Sequence, residues 1–207
     1  KDPPIRPVGW ASDSESVLLT DAWDIWKVDI DGDEHSNLTK TGRDEGIRYR
    51  RPLRYDPDQE GIDLSEPVYL EIYGEWTKKT GLAKLTSNGR NIETLLWDDA
   101  QHTVQRAEDA ETFVYTRETF TEFPDVWAAK GSFDDPVRLT DANPQQADYA
   151  WSAGTRLLDY VTDKGDSLQA ALYLPAGYEE GEKYPTMVYI YEMLSQNMNR
   201  YVVPNET

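Results

Sequence analysis

The stretch LLDYVTDKGDSLQAALYLPAGYEEGEKYPTMVYIYE, residues 157–192, decides the predicted fold of the C-terminal part of this chain. Leu157–Val161 and Leu168–Leu174 are apolar and β-prone, and the Asp- and Gly-containing segment between them predicts a tight turn. Pro175 ends the second run because proline cannot donate a hydrogen bond to a sheet ladder. Thr186–Tyr191 is a continuous β-branched and aromatic run, which predicts a strand covered on both faces, as in an α/β sheet.

In this order, these residues resemble the beginning of the α/β-hydrolase domain in the prolyl oligopeptidase family of serine peptidases, and its dipeptidyl-peptidase-like members in particular. The shared pattern is a turn glycine, an apolar strand ending in Leu-Pro, a Gly-Tyr loop and a second strand after Lys-Tyr-Pro. The matching positions are Gly165, Leu168, Ala170, Leu172, Tyr173, Leu174, Pro175, Gly177, Tyr178, Lys183, Tyr184, Pro185, Val188, Tyr189 and Tyr191. The resemblance implies that the catalytic Ser, Asp and His lie further along the sequence than Thr207.

The composition limits the classes of partner. The 207 residues carry a formal net charge of −18, which repels nucleic-acid phosphates and anionic lipid surfaces. We therefore expect neither nucleic acid nor membrane as a partner, and interpret the acidity as serving solubility, in a salt-adapted or extracytoplasmic protein. Cysteine is absent, which excludes disulfides and thiolate metal sites. The composition does not fix the compartment, but a periplasmic or secreted bacterial location is favoured over the cytoplasm.

We expect the chain to be a piece of a larger protein. It begins at Lys1 rather than Met, and its last residues predict neither a capped helix nor a closing strand. No apolar run is long enough to span a membrane.

A short sequence motif that recurs in the first part of the chain predicts repeated small sheets. Asp24-Ile25-Trp26 is followed by Asn37-Leu38-Thr39, and Asp125-Val126-Trp127 is followed, at the same interval, by Arg138-Leu139-Thr140. A third, weaker copy ends at Lys84-Leu85-Thr86. Recurrence of several short strands at a fixed period is typical of β-propeller blades.

The predicted fold class is mainly β, with two domains. Residues 1–152 are predicted to form about three blades at the C-terminal end of a β-propeller, which closes only with about four to eight. Residues 153–207 are predicted to be the first strands of an α/β-hydrolase domain that stops before the catalytic Ser. The blade pattern also resembles the prolyl oligopeptidase family, which places a propeller before its hydrolase domain.

Tyr191 is the one candidate catalytic residue, and it follows from the resemblance. In dipeptidyl-peptidase-like members, a Tyr at the end of this strand donates a hydrogen bond in the oxyanion hole. The sequence departs from the family after this point, because Glu192-Met193-Leu194-Ser195 stands where many relatives have a Gly-Gly-Pro turn. The alternative is a Tyr that only packs at a strand end.

The other candidate residues point to ordinary structural roles. No Gly-x-Ser-x-Gly motif occurs, and the serines and histidines are interpreted as loop or turn residues, so we expect no catalytic triad within the chain. The acidic segment Asp29–Glu34 does not match the spacing of a calcium loop, and we expect neither a metal nor an organic cofactor. The arginines of Arg48–Arg54 could bind a substrate carboxylate, but pairing with nearby acids is favoured.

The functional hypothesis is part of a serine exopeptidase or oligopeptidase that hydrolyses short peptides by acyl transfer to a Ser beyond this chain. The resemblance implies a short-peptide substrate and allows a homodimer through the hydrolase domain. Two alternatives stay open: a non-catalytic propeller that serves as a binding or scaffold module with a degenerate hydrolase remnant, and an esterase on the same architecture.

Overall fold

The computed structural model describes residues 4–54, 58–86, 89, 91–191 and 193–203. Three four-stranded antiparallel sheets follow one another along the chain, and a two-stranded hairpin comes after them. The prediction of a mainly β protein is therefore confirmed. None of the described helices is long or apolar enough to cross a membrane.

The first sheet is a meander in which each strand pairs with the next one along the chain. Its strands are β1 (Arg6–Trp10), β2 (Ser16–Thr20), β3 (Ile25–Asp29) and β4 (His35–Asn37). A tight turn at Asp31-Gly32 joins β3 to β4. Gly32 has a φ of +80°, which a residue without a Cβ adopts freely, and its N–H donates to the Asp29 carbonyl at 2.9 Å.

The second and third sheets are meanders of the same kind. A short helix, α1 (Gly42–Glu45), precedes the second sheet, which contains β5 (Ile47–Pro52), β6 (Val68–Gly74), β7 (Thr80–Leu85) and β8 (Ile92–Asp98). The third sheet contains β9 (Gln101–Arg106), β10 (Thr112–Glu118), β11 (Asp125–Lys130) and β12 (Val137–Arg138).

Two apolar clusters join the three sheets. In the first cluster, Leu18 and Ile25 of the first sheet are buried with Leu70 and Ile72 of the second sheet. The second cluster places side chains of the opposite face of β6 and β7 against the third sheet, and its members are Tyr69, Leu82, Val104, Phe113, Tyr115, Ala129 and Phe133. The second sheet is thus covered on both faces, which explains why five of the six residues of β7 are buried.

The recurring Asp and Thr residues make the same hydrogen bonds in two sheets. Asp24 stands immediately before β3, and its Oδ1 accepts hydrogen bonds from Thr39 Oγ1 at 2.6 Å and from the Gly42 N–H at 3.0 Å. Thr39 Oγ1 in turn accepts a hydrogen bond from the Ile25 N–H at 3.1 Å. The pair therefore ties the start of the third strand to the segment that follows the fourth strand.

The third sheet repeats this arrangement. Asp125 Oδ1 accepts hydrogen bonds from Thr140 Oγ1 at 2.7 Å and from the Ala142 N–H at 2.9 Å. Thr140 Oγ1 accepts a hydrogen bond from the Val126 N–H at 2.9 Å. We call Asp24–Thr39 and Asp125–Thr140 the Asp–Thr pairs, and they give the sequence repeat a physical cause.

The third copy of the repeat, Lys84-Leu85-Thr86, does not occupy the same place in its sheet as the other two copies. Lys84 and Leu85 lie inside β7, the third strand of its sheet, whereas Leu38 and Leu139 directly follow the fourth strands of theirs. The fourth strand of the second sheet is β8, which carries no Leu-Thr phrase. A buried strand with regular apolar residues can produce a Leu-Thr pair by chance, and only the two copies with a matching Asp are equivalent.

The hairpin after the sheets consists of β13 (Thr155–Val161) and β14 (Ser167–Tyr173). Gly165 lies in the connecting turn with a φ of +87°, and its N–H donates to the Thr162 carbonyl at 2.9 Å. Both predicted strands and the turn between them are confirmed. Two short 3-10 turns, Pro144–Asp148 and Ser195–Asn197, flank this region in sequence.

The predicted strand at Thr186–Tyr191 is wrong for the structure of this chain. These residues form no strand, and Met187, Val188 and Ile190 are 94%, 77% and 87% exposed. A strand is stabilised by hydrogen bonds to a neighbouring strand, and the described part of the chain offers none beside this segment. The predicted parallel sheet of an α/β-hydrolase is accordingly not seen among the described residues.

Candidate functional site

Tyr191, the candidate oxyanion-hole donor, lies at the end of the exposed apolar segment. Its side chain is 60% exposed and stacks on Tyr189, with ring centroids 6.5 Å apart and planes inclined by 29°. An oxyanion hole needs donors that converge on one oxygen atom. The neighbouring Glu192 lies outside the described residues, so its part of the predicted departure from the family has no structural account.

An aromatic cleft of about 420 Å³ lies between the end of β14 and the loop that leads to Tyr191. Tyr173, Tyr178 and Tyr184 line it, together with Leu174 and Pro185. The Tyr178 and Tyr184 rings are 5.3 Å apart, and Tyr184 Oη accepts a hydrogen bond from the Glu179 N–H at 2.8 Å, which shapes the loop. The cleft therefore offers aromatic stacking surfaces, and Glu182 adds a carboxylate to its lining.

The cleft has a charged rim. The guanidinium of Arg156 lies 5.2 Å from the centre of the Tyr178 ring, and one of its nitrogens is 3.8 Å from Glu180 Oε1. Both contacts are partly exposed and contribute little to stability. Of the residues that the structure describes, neither a serine nor a histidine lines the cleft.

Ser152 has a structural role. Its hydroxyl donates to the Leu174 carbonyl at 2.6 Å and accepts a hydrogen bond from the Gly154 N–H at 3.2 Å. It therefore fastens the base of the β13–β14 hairpin, in agreement with its interpretation as a loop residue. The structure does not bring it within hydrogen-bond reach of His35 or His102, whose own contacts lie in the four-stranded sheets.

His102 is half-buried at the start of β9 and faces the second sheet. Its Nδ1 lies 2.9 Å from Thr80 Oγ1, and that hydroxyl also donates to the Ala100 carbonyl at 2.7 Å. The imidazole therefore carries its proton on Nδ1, while Nε2 is buried with no hydrogen-bond partner among the described residues. Burial lowers the pKa of His102 to about 4, although the nearby Asp98 carboxylate acts in the opposite direction.

The arginine cluster is only partly neutralised by neighbouring acids. Arg48 Nε is 2.5 Å from Glu75 Oε2, and Arg51 Nη2 is 3.6 Å from Glu71 Oε2. These two contacts confirm the expected surface pairing for two members of the cluster. Arg50 differs, because its guanidinium lies 4.3 Å from the centre of the Tyr73 ring and has no carboxylate within 4.0 Å among the described residues.

The segment after Tyr191 is attached to the rest of the molecule through Tyr201. Tyr201 Oη donates to Gln146 Oε1 at 2.9 Å and accepts from Asn143 Nδ2 at 3.2 Å. Its ring stacks on Trp151, with centroids 5.7 Å apart and planes inclined by 8°. Tyr201 is 7% exposed, so the exposed apolar segment is held between two fixed points, the hairpin and this contact.

The comparisons with known proteins leave the family open. No protein-family model and no curated protein matches the chain. One similar solved structure is a variant of the AtxE2 isopeptidase with Astexin3-dC4 bound, at 12% identity and a TM-score of 0.48. The similarity covers 82% of this chain and 32% of that one, so the chain spans about a third of the neighbour's length. A likeness of this size does not establish an activity.

Some features of the site had no signal in the sequence. Tyr73 and Arg50 are adjacent across two strands, but their pairing depends on the register of β5 against β6, in which Arg48 stands opposite Tyr73. His102 gave only the signal of an isolated histidine. Among the described residues, no group of three or more His, Asp or Glu side chains could hold a metal ion.

Proposed function

We propose that this chain is part of a serine peptidase of the prolyl oligopeptidase family. In this proposal the three four-stranded sheets are consecutive propeller blades, and the β13–β14 hairpin begins the hydrolase domain. The observation that carries the proposal is the ordered set of residues from Gly165 to Tyr191. The sheets support it, because a propeller consists of consecutive antiparallel four-stranded sheets that pack against each other through apolar side chains.

The proposed reaction is the hydrolysis of short peptides. A serine oxygen, supplied by sequence beyond Thr207, forms a bond to the scissile carbonyl carbon while a histidine takes its proton. The carbonyl oxygen becomes an oxyanion, the peptide nitrogen then leaves with that proton, and water later hydrolyses the acyl-enzyme. Tyr191 is proposed to donate its hydroxyl hydrogen to the oxyanion.

The exposed segment Thr186–Tyr191 fits this proposal. Its residues have the composition of a strand with two covered faces, yet they are exposed in the chain as described. Further strands of a hydrolase sheet would cover such a segment and give its backbone hydrogen-bond partners. The proposal therefore requires Tyr191 to become ordered at the edge of that sheet.

The proposal is tested on the native protein with a fluorophosphonate probe and with short peptide substrates. We expect the probe to label one serine, and Tyr191→Phe to lower kcat by about 10²- to 10³-fold, as removal of one oxyanion-hole donor does. The matched control is Tyr189→Phe, which removes the neighbouring hydroxyl of the stacked pair and should leave kcat unchanged. Unchanged turnover in Tyr191→Phe would remove Tyr191 from the mechanism, and absence of a labelled serine would overturn the peptidase proposal.

A further inference from the structure

The position of Tyr191 depends on what holds the chain on its two sides. Tyr191 is exposed, and residues 186–191 form no strand that would fix their backbone. On the N-terminal side, the Tyr184 hydroxyl accepts a hydrogen bond from the Glu179 N–H at 2.8 Å. A catalytic donor must be held within about 0.5 Å of its productive position. The attachment on the C-terminal side therefore matters for any catalytic role of Tyr191.

Residues 198–201 attach the C-terminal side to the sheets. Met198, Asn199 and Tyr201 are buried, whereas residues 186–191 are all exposed. Asn199 Nδ2 donates a hydrogen bond at 3.3 Å to the carbonyl of Lys78, a buried residue in the loop between β6 and β7. This contact fastens the chain to the second sheet only eight residues after Tyr191.

The Tyr201 ring is enclosed by two other aromatic rings. Trp151 stacks on it, as described above, and Phe123 packs against it in a T-shaped arrangement, with centroids 5.1 Å apart and planes inclined by 75°. Aromatic pairs of this kind stabilise a structure beyond the area that they bury. Phe123 lies in the loop between β10 and β11, so the ring contacts connect Tyr201 to the third sheet.

The Tyr201 hydroxyl belongs to a hydrogen-bond network. It donates to Gln146 Oε1 and accepts from Asn143 Nδ2, while Gln146 Nε2 donates to the Thr121 carbonyl at 2.6 Å. Asn143 has a φ of +57°, a conformation that asparagine adopts more readily than most residues. The network ties Tyr201 to the 3-10 turn Pro144–Asp148 and to the loop between β10 and β11. A phenylalanine at position 201 would keep the ring contacts and remove both hydrogen bonds of the hydroxyl.

We propose that Asn199 and Tyr201 are positioning residues for Tyr191. This inference rests on the proposed function, in which Tyr191 donates a hydrogen bond to the oxyanion. Asn199 and Tyr201 do not touch the substrate in this proposal; they fix one end of the segment that carries Tyr191, and thereby the place of its hydroxyl. Because an oxyanion-hole donor acts on the transition state, a looser attachment should lower kcat and leave KM nearly unchanged.

The test is a double-mutant cycle on the native protein, with the same short peptide substrates. Tyr201→Phe should lower kcat about tenfold, a smaller loss than the about 10²-fold that a displacement of about 1 Å can cause. In the Tyr191→Phe background the same change should not lower kcat further, since residues that act as a unit are not additive. A residue that only stabilises the fold would lower kcat by the same factor in both backgrounds. Equal factors would therefore overturn the inference, as would an unchanged kcat in Tyr201→Phe.

Tyr49→Phe is the matched control. It also removes one hydroxyl from a buried tyrosine, but Tyr49 belongs to the first apolar cluster. Its kcat should equal that of the wild type, and circular dichroism should show every variant folded. A loss of kcat as large as that in Tyr201→Phe would contradict a specific role of Tyr201. If Tyr201→Phe does not fold, the cycle is measured with Asn199→Ala, for which the same dependence on Tyr191 is expected.

Serine labelling separates this inference from the peptidase proposal. A labelled serine together with a kcat that Tyr201→Phe does not change leaves the peptidase standing and removes the inference. A labelled serine with unchanged turnover in Tyr191→Phe also removes it, because there is then no catalytic hydroxyl to position. Absence of a labelled serine overturns the peptidase proposal and the inference with it.

Discussion

At the scale of single residues, the chain shows how burial and partners set the behaviour of a polar group. Asp125 is 7% exposed, and burial by itself would raise its pKa. Hydrogen bonds from Thr140 and Ala142 and the charge of Arg138 outweigh burial, so the pKa of Asp125 is lowered. His102 is the opposite case, because its partial burial outweighs the charge of the nearby Asp98 carboxylate and favours the neutral imidazole.

We expect His102 to make the folded state less stable as the pH falls from about 6.5 to about 4. In this window the unfolded state binds a proton on His102 and the folded state does not, since its pKa is about 4 instead of 6.5. The loss of unfolding free energy should reach about 3 kcal/mol. Asp98 and Asp125, whose pKa values are lowered in the folded state, lose their contribution at lower pH, because the ordinary pKa of an aspartate is 3.8.

The measurement is urea unfolding between pH 7 and pH 4.5. His102→Phe should flatten the pH dependence in this range, while His35→Gln, a change at the other histidine, should leave it as in the wild type. A slope that survives in His102→Phe would assign the acid sensitivity to other groups.

At the scale of elements, the Asp–Thr pairs explain how neighbouring segments are fastened. Asp24 is 4% exposed and Thr39 is 1% exposed, so neither can exchange its partner for water. The loss of Asp24 would leave both the Thr39 hydroxyl and the Gly42 N–H without their acceptor, and unpaired buried groups are costly.

We therefore expect Asp24→Ala to lower the free energy of unfolding by about 2–3 kcal/mol. Asp31→Ala is the control, because Asp31 lies in an exposed hairpin turn and accepts one local hydrogen bond, from the Asp33 N–H at 3.0 Å. The control should cost less than about 1 kcal/mol. Equal losses in the two variants, measured by urea unfolding, would show that the pair is not what the repeat preserves.

The elements also show what the sequence could predict and what it could not. The β13–β14 hairpin agrees with the sequence prediction, because its apolar pattern and its turn residues act within a few positions. Thr186–Tyr191 was predicted as a strand from the same kind of pattern, but strand formation also needs a partner, which no local pattern can report.

The site was less predictable than the fold for a related reason. Arg50, Tyr73 and His102 acquire their properties from contacts across strands and between sheets. The sequence marked the arginine cluster as a whole, but it could not tell which of its members would find a carboxylate. The catalytic role of Tyr191 stays a prediction.

At the scale of the whole molecule, the second sheet connects the other two. It contributes to both apolar clusters, so its stability depends on the first and the third sheet together. Phe113 is the centre of the second cluster. It is fully buried, and its ring lies 5.0 Å from both Tyr69 of the second sheet and Phe133 in the loop between β11 and β12.

We expect Phe113→Ala to lower the free energy of unfolding by about 3–5 kcal/mol, because it leaves a cavity between two sheets. If Phe113→Ala does not fold, the free energy of unfolding is measured on Phe113→Leu, which removes less volume. Val114→Ala is the control: the next residue of β10 faces the opposite side and is 42% exposed, so the change should cost less than about 1 kcal/mol.

Hydrogen exchange distinguishes a shared structure from independent sheets. If the second sheet couples its neighbours, Phe113→Leu should speed exchange of the amides of β6 and β7 as well as those of β10, within one cooperative unfolding transition. Faster exchange confined to the third sheet, or a separate transition at low urea concentration, would mean that each sheet unfolds by itself. The first outcome is what sheets packed in series require, because a single four-stranded sheet cannot cover both of its own faces.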